Sequence, residues 1–233
     1  MTSTSTLSTL RDPRVSEVLQ RLFADAQQDD AAYQRALAGR PDGFNPTDHQ
    51  ERADAWSEIY MPISVDAGRL LYTLVRAVKP RTVVEFGMSF GISTLHLAAA
   101  VRDNGVGHVV TTEMSAAKVQ AARATFAEVG LQDVITVLEG DALQTLPQRL
   151  DADNAAAGHS DGVGFVLLDG WKDLYVPVLR ALEPRLNRGA LVIADDIDMA
   201  SVRPYLDYVR DPANGYEGVA FPVEDGMEIS CRL

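Results

Sequence analysis

The sequence predicts an α/β fold: a seven-stranded, mostly parallel sheet with helices on both faces and a helical cap at the N-terminus. Three observations carry this. From Arg81 onward, short apolar runs alternate with helical segments, the rhythm of parallel strands joined by crossover helices and covered on both faces. Before that point the periodicity is helical throughout. Two strand-like pieces close the chain with Glu224-Asp225 joining them, a connection short enough for an antiparallel hairpin at a sheet edge.

The elements follow in order. RVSEVLQRLFADA sets Val15, Val18, Leu19, Leu22 and Phe23 on one helical face. The polar stretch from Gly39 to Asp48 carries breakers and ends in a helix cap, Thr47 or Asp48. Trp56 and Tyr60 stand four apart on an expected helix, so their side chains would be neighbours on one face. MPISVDAGRLLYTLVRAV gives the next helix, with Ser64 as its cap and Leu70, Leu71, Leu74, Val75 and Val78 facing inward. Lys79-Pro80 ends it. The strands are then TVVEF, HVVTTE, VITVLEG, GFVLLD and ALVIAD. Between them lie the helical segments GISTLHLAAAV, SAAKVQAARATFAEVG, DALQTLPQRL and VPVLRALEPRLN. LDADNAAAGHSDG reads as a surface loop, and GVAFPV and GMEISCRL form the final hairpin.

With 233 residues, 46% hydrophobic and 23% charged, the chain is long enough for one good-sized core and has the composition of a soluble globular protein. No apolar run is long enough to span a bilayer. The opening MTSTSTLSTL lacks the basic start and apolar segment of a secretory signal and reads as a flexible tail. A single cysteine, Cys231, fits a reducing, cytoplasmic setting. The net charge of -12 argues against nucleic acid and against an anionic membrane as partners.

Ligands of an open parallel sheet bind beyond the carboxyl ends of its strands. At those ends stand Glu85, Glu113, Asp141, Asp169 and Asp195-Asp196, an acid for each of the five strands. The turn EFGMSFGIS has two glycines four apart and lacks the GxGxxG of dinucleotide-binding enzymes. Glu85 would repel a pyrophosphate there but tolerate a cationic cofactor. Glu113 is placed for two ribose hydroxyls, and Asp141 for an adenine amino group. Plainer roles exist: Asp169 as a helix cap, Lys172 as a solvated lysine, Asp195-Asp196 as an acidic turn. His49, His96, His108 and His159 have no metal-ligand spacing and read as structural or exposed, with His96 packed inside an apolar helix.

Five segments in order carry a resemblance: E-x-G-x-x-x-G-x-S at Glu85 to Ser93, VVTTE, GLQDVITVLEGDA, LLDGWKDLYVP and LVIADD. From about Met61 to the end, the chain resembles the class I S-adenosylmethionine-dependent methyltransferases, in particular the catechol and caffeoyl-CoA O-methyltransferase group. The resemblance implies an N-terminal helical cap over residues 1–60 and a cofactor-binding, Rossmann-like methyltransferase domain over 61–233. It implies that Glu85, Gly87, Gly91 and Ser93 line the methionine part of S-adenosylmethionine, with Ser64, Val65 and Asp66 approaching it. Glu113 would take the ribose, and Asp141 and Trp171 the adenine. Asp169, Asp195 and Asp196 would hold a divalent metal, usually magnesium, which binds a small hydroxylated acceptor, with Lys172 as the base. Trp56 and Tyr60 would pack together or form an aromatic wall for that acceptor.

The chain departs from the group in three ways. Asp196 replaces the family's asparagine, Gly170 replaces the histidine of the catechol enzymes, and no acidic substrate-side residue is recognised near the C-terminus. A homodimer contacting through the N-terminal helices is the family expectation. A metal-independent methyltransferase and a cofactor-binding protein without turnover are the alternatives.

Overall fold

A computed structural model describes residues 8–41, 43–157 and 162–233. Four helices precede the sheet: α1 (Pro13–Ala26), α2 (Asp29–Leu37), α3 (His49–Ala55) and α4 (Val65–Val78). Three of their starts follow from side-chain caps: Asp12 accepts from Arg14 N, Asp48 from Glu51 N and Ser64 from Ala67 N, each satisfying a backbone donor the first turn leaves free. α4 ends as expected, with Lys79 in the left-handed conformation at φ 51°.

The strands are β1 (Thr82–Phe86), β2 (His108–Glu113), β3 (Ile135–Glu139), β4 (Val163–Leu168), β5 (Leu186–Ala194), β6 (Tyr216–Phe221) and β7 (Met227–Arg232). Their order is β3-β2-β1-β4-β5-β7-β6. The first five are parallel, and β7 pairs antiparallel with both β5 and β6. The helices between them are α5 (Ile92–Asn104), α6 (Ala116–Glu128), α7 (Ala142–Ala157), α8 (Tyr175–Leu182) and α9 (Arg203–Arg210).

Alternate strand residues feed two cores. Val83, Val109 and Phe165 pack with α1, α4, α5 and α6, whereas Val84, Val110 and Val166 pack with α7, α8 and α9. Helices therefore cover both faces, and the strand runs are apolar because both sides are buried. α1 shares the first core through Val15, Val18, Leu19 and Leu22. Ala32, Trp56 and Ile59 form a third, smaller cluster, against which Trp171 packs. Strand order runs outward in one direction from β1 and in the other from β4, which puts the switch point, and the expected ligand cleft, at the carboxyl ends of that pair.

Some elements differ from expectation. α7 runs through Ala157, so the stretch read as a surface loop is helical in its first part: LDADNAAA contains no helix-breaking residue and is rich in alanine. His159 lies outside the described residues. α9 was not anticipated. Val78, at the last position of α4, is 36% exposed, with no further turn to cover it. Trp56 and Tyr60 do not share a helical face, because α3 stops at Ala55 and the chain turns away. Both Tyr60 N and Met61 N donate to the Asp29 carboxylate at 2.8 Å, and that carboxylate sets the turn. Tyr60 then stacks on Phe90 with ring centroids 3.9 Å apart, while Trp56 stacks on Tyr33 at 5.1 Å.

Candidate active site

A cavity of about 430 Å³ opens at the carboxyl ends of the central strands. Its floor is the turn after β1. Gly87 has φ 98°, and a side chain there would meet the Asp169 carbonyl oxygen at 2.5 Å. Glycine is required both by the left-handed backbone and by the closeness of the neighbouring strand end. Gly91, also left-handed, precedes α5 as its cap residue, and Ser93 is buried in the first turn and forms part of the cavity wall.

Two expected cofactor residues stand elsewhere. Glu85 is fully buried beneath the turn, not in the wall; one oxygen accepts from Thr94 and Thr111, and the other, Oε1, has no partner. Burial pushes its carboxyl above the ordinary range, against hydrogen bonds from Ser93, Thr111 and Thr94. Ser64 is occupied as the cap of α4, and its N–H donates to Glu224 Oε2 at 2.7 Å. The cavity is reached instead by the neighbouring Met61, Pro62 and Ile63.

At one end of the cavity Glu113 accepts from three backbone amides, those of Ser89, Met114 and Ser115, at 2.8–2.9 Å. Its carboxylate is thus held rigidly at the lip of β2. Beside it lies Lys118, 3% exposed, whose ammonium donates to Ser89 Oγ at 3.1 Å. Asp141 faces the same cavity and also accepts from Leu143 N at the start of α7.

At the other end Asp169, Asp195 and Asp196 converge, with one carboxylate oxygen of each within 4.8 Å of the others. Asp195 Oδ1 is buried without a partner. Burial and the neighbouring carboxylates push Asp195 up to about 8; burial pushes Asp169 up to about 7, against the pull of Lys172. Lys172 Nζ lies 2.7 Å from Asp196 Oδ2 and 3.4 Å from Asp169 Oδ1, and donates to the Tyr175 hydroxyl at 2.8 Å. Burial alone would lower the Lys172 ammonium, but Asp169, Asp196 and Asp195 outweigh it and hold it above its usual value. Lys172 is therefore no solvated surface lysine. Asp169 caps no helix either, since Leu174 stands at the cap of α8 without a side-chain bond.

Hard carboxylate oxygens converging around an unpartnered buried oxygen fit a divalent cation such as magnesium. Asp196 adopts φ 59°, a left-handed conformation that asparagine and aspartate tolerate better than most residues. An asparagine, which the resemblance implies at this position, would tolerate the same backbone.

Trp171 lies between the two ends. The Arg52 guanidinium stands 5.0 Å from its ring centroid, and Asp173, two residues on, pairs with His49 at 2.8 Å and Arg52 at 3.6 Å. α3 is in this way fastened over the site. Gly170 next to it has a local reason: a Cβ there would meet the Phe86 ring at 2.6 Å, so the histidine that the resemblance implies at this position would require the ring to shift. Sequence reasoning missed Lys118, Phe90, Met199, Glu224 and Asp225, all of which reach the cavity. The last two put acids from the β6–β7 turn at its rim, where no acidic residue had been recognised.

The fold and the cavity at its switch point are those of a cofactor-binding α/β enzyme. A family model described as a methyltransferase domain matches residues 84–197. Catechol O-methyltransferase B of Danio rerio is 27% identical over 213 residues, covering 87% of this chain and 76% of that protein. Caffeoyl-CoA O-methyltransferase 1 of Nicotiana tabacum is 26% identical over 192 residues, covering 74% and 78%. The chain spans between 52% and 78% of the mammalian and mycobacterial catechol O-methyltransferases it matches. A solved O-methyltransferase from Bacillus cereus, in complex with SAH, superposes with a TM-score of 0.64 at 19% identity, covering 89% of this chain and all of that one. These matches support an S-adenosylmethionine-dependent methyltransferase similar to the catechol and caffeoyl-CoA O-methyltransferases. No helix among its described residues is long and apolar enough to cross a membrane.

Proposed function

We propose that the protein methylates a hydroxyl of a small aromatic or vicinal-diol acceptor, with S-adenosylmethionine as donor and a divalent cation, magnesium, as cofactor. The observation that carries this is the convergence of Asp169, Asp195 and Asp196 beside the Lys172 amine, in the cavity whose other end is Glu113. Bound S-adenosylmethionine supplies an electrophilic methyl group on sulfur, and the cation supplies a Lewis acid that acidifies an acceptor hydroxyl.

The chain's own residues do the rest. Asp169, Asp195 and Asp196 would hold the cation. Lys172 Nζ would take the acceptor's proton, a task open to it only once those carboxylates are committed to the cation and no longer hold the ammonium charged. Tyr175, fully buried and accepting from Lys172, fixes the amine's position. Glu113 would accept from the ribose hydroxyls, Asp141 from the adenine amino group, and Trp171 would pack on the ring. The Gly87 turn lets backbone approach the methionine part. Met61 and Met199 offer apolar surface around the transferred methyl and the acceptor, and positioning supplies much of the rate.

The ion pair between Lys172 and Asp196 also favours one alternative, a metal-independent transfer in which that lysine is the cation beside the three acids. Incubation with labelled S-adenosylmethionine and a panel of catechols, with magnesium or with a chelator, separates the two: transfer lost on chelation supports the metal, and chelator-insensitive transfer selects the alternative. The same family reading makes the protein a cytoplasmic homodimer contacting through its N-terminal helices, which light scattering tests.

A further inference from the structure

Lys118 is the third residue of α6 and is almost wholly buried, an unusual place for an ammonium group, which loses its hydration there. Among the described residues no carboxylate is in ion-pair contact with it. Its Nζ donates to Ser89 Oγ and stands 5.5 Å from the Phe90 ring centroid. Filling that space alone would favour methionine or leucine. The surroundings say what the charge is for. Lys118 forms part of the cavity wall together with Ser89 and Glu113. Glu113 is held by three amides and can only accept further hydrogen bonds. A ribose diol presents two hydroxyl donors and two oxygens that need donors in return. Glu113 serves the first pair and cannot serve the second. Ser89 Oγ, which donates to the Tyr60 carbonyl at 2.6 Å, takes one N–H of Lys118 and leaves two.

We infer that Lys118 is a second cofactor-binding residue of the ribose corner, its ammonium donating to the ribose oxygens while Glu113 accepts from their hydroxyls. This rests on the methyltransferase reading above. The same lysine ties that corner to the chain segment above it, through Ser89 to Tyr60 and, by the Tyr60 and Met61 amides, to Asp29.

Calorimetry with S-adenosylhomocysteine tests it. Lys118→Met should bind about tenfold more weakly, the loss of one charge-assisted hydrogen bond, yet melt at or above the wild-type temperature, since a buried charge is gone. Lys118→Arg should recover part of the affinity. Lys118→Leu, which likewise has no donor, carries the same comparison should the methionine variant not fold. Against a 2′,3′-dideoxyribose analogue, wild type and Lys118→Met should bind alike. Equal affinity of wild type and the neutral variants for S-adenosylhomocysteine overturns the inference, as does a penalty that persists with the dideoxy analogue. Failure of the wild type itself to bind would overturn the methyltransferase reading, and the inference with it.

Discussion

The two ends of the cavity use the same chemical pieces, carboxylates and one buried lysine, and arrive at opposite electrical states. Glu113 accepts from three backbone amides that belong to the fold, so its oxygens have partners whether or not a ligand is bound. Its lysine is in ion-pair contact with no carboxylate among the described residues and is turned to Ser89. Asp169, Asp195 and Asp196 instead face one another, share a single ammonium and leave a buried oxygen unpartnered. The first corner is complete and suited to a neutral diol. The second is short of positive charge, because repulsion among three close carboxylates is relieved only by a proton or a cation.

The sharpest way to break this comparison is to remove one acid from each end. Asp195→Ala should cost more than about 100-fold in turnover, through loss of a proposed metal ligand, while leaving cofactor affinity near wild type. Its cation-free protein should melt higher than wild type as pH rises through about 8, where the buried Asp195 must otherwise ionise beside Asp169 and Asp196. Glu113→Ala should do the reverse. Cofactor affinity falls at least about tenfold, and stability drops by roughly 1–3 kcal/mol as three amides lose their acceptor. Calorimetry, turnover and thermal melts on the pair read this out. If both variants lose stability alike, the two corners are not electrically distinct.

Much of this was legible in the sequence, and the reasons are local. Strand ends are marked by an apolar run meeting an acid, so Glu113, Asp141, Asp169 and Asp195 fell at the cavity without any knowledge of packing. Glu85 obeyed the same pattern and yet lies under the turn, because side chains alternate across a strand and the sequence does not say which face the cavity occupies. Lys118 gave no signal: in AAKVQAARA it reads as one polar position on an ordinary helix, and its burial depends on Ser89 and Phe90, which are far away in the chain. The Trp56–Tyr60 pairing failed for a related reason. The helical run that the spacing assumed stops at Ala55, and a distant carboxylate, Asp29, holds the turned chain at Tyr60 and Met61.

Gly170, between the two ends, offers a smaller effect of a purely steric kind. Gly170→Ala drives a methyl group into the Phe86 ring at 2.6 Å, and overpacking of this kind costs about 1–3 kcal/mol. Phe86→Leu opens space, so the double variant should recover much of the loss, a coupling that urea unfolding of the four-member cycle measures. Additive losses would mean that the ring is not what excludes larger residues, and the departure from the histidine of the catechol enzymes would need another cause.

The smallest effect concerns Glu85, the carboxylate that belongs to neither end. Its folded pKa is raised by burial, so between the ordinary carboxylate range and that raised value the native state holds a proton the unfolded chain has released. Stability from this group is therefore fully present below the unfolded value and is lost as pH rises through the folded one. Glu85→Gln keeps the shape and the contacts to Thr94 and Thr111 but cannot ionise. The variant should match wild type at mildly acidic pH and melt a few degrees higher at neutral pH and above. A difference that is constant across pH would show that Glu85 is as well satisfied as Glu113, despite its unpartnered oxygen, and that amide donors are not what separates a settled carboxylate from a strained one in this site.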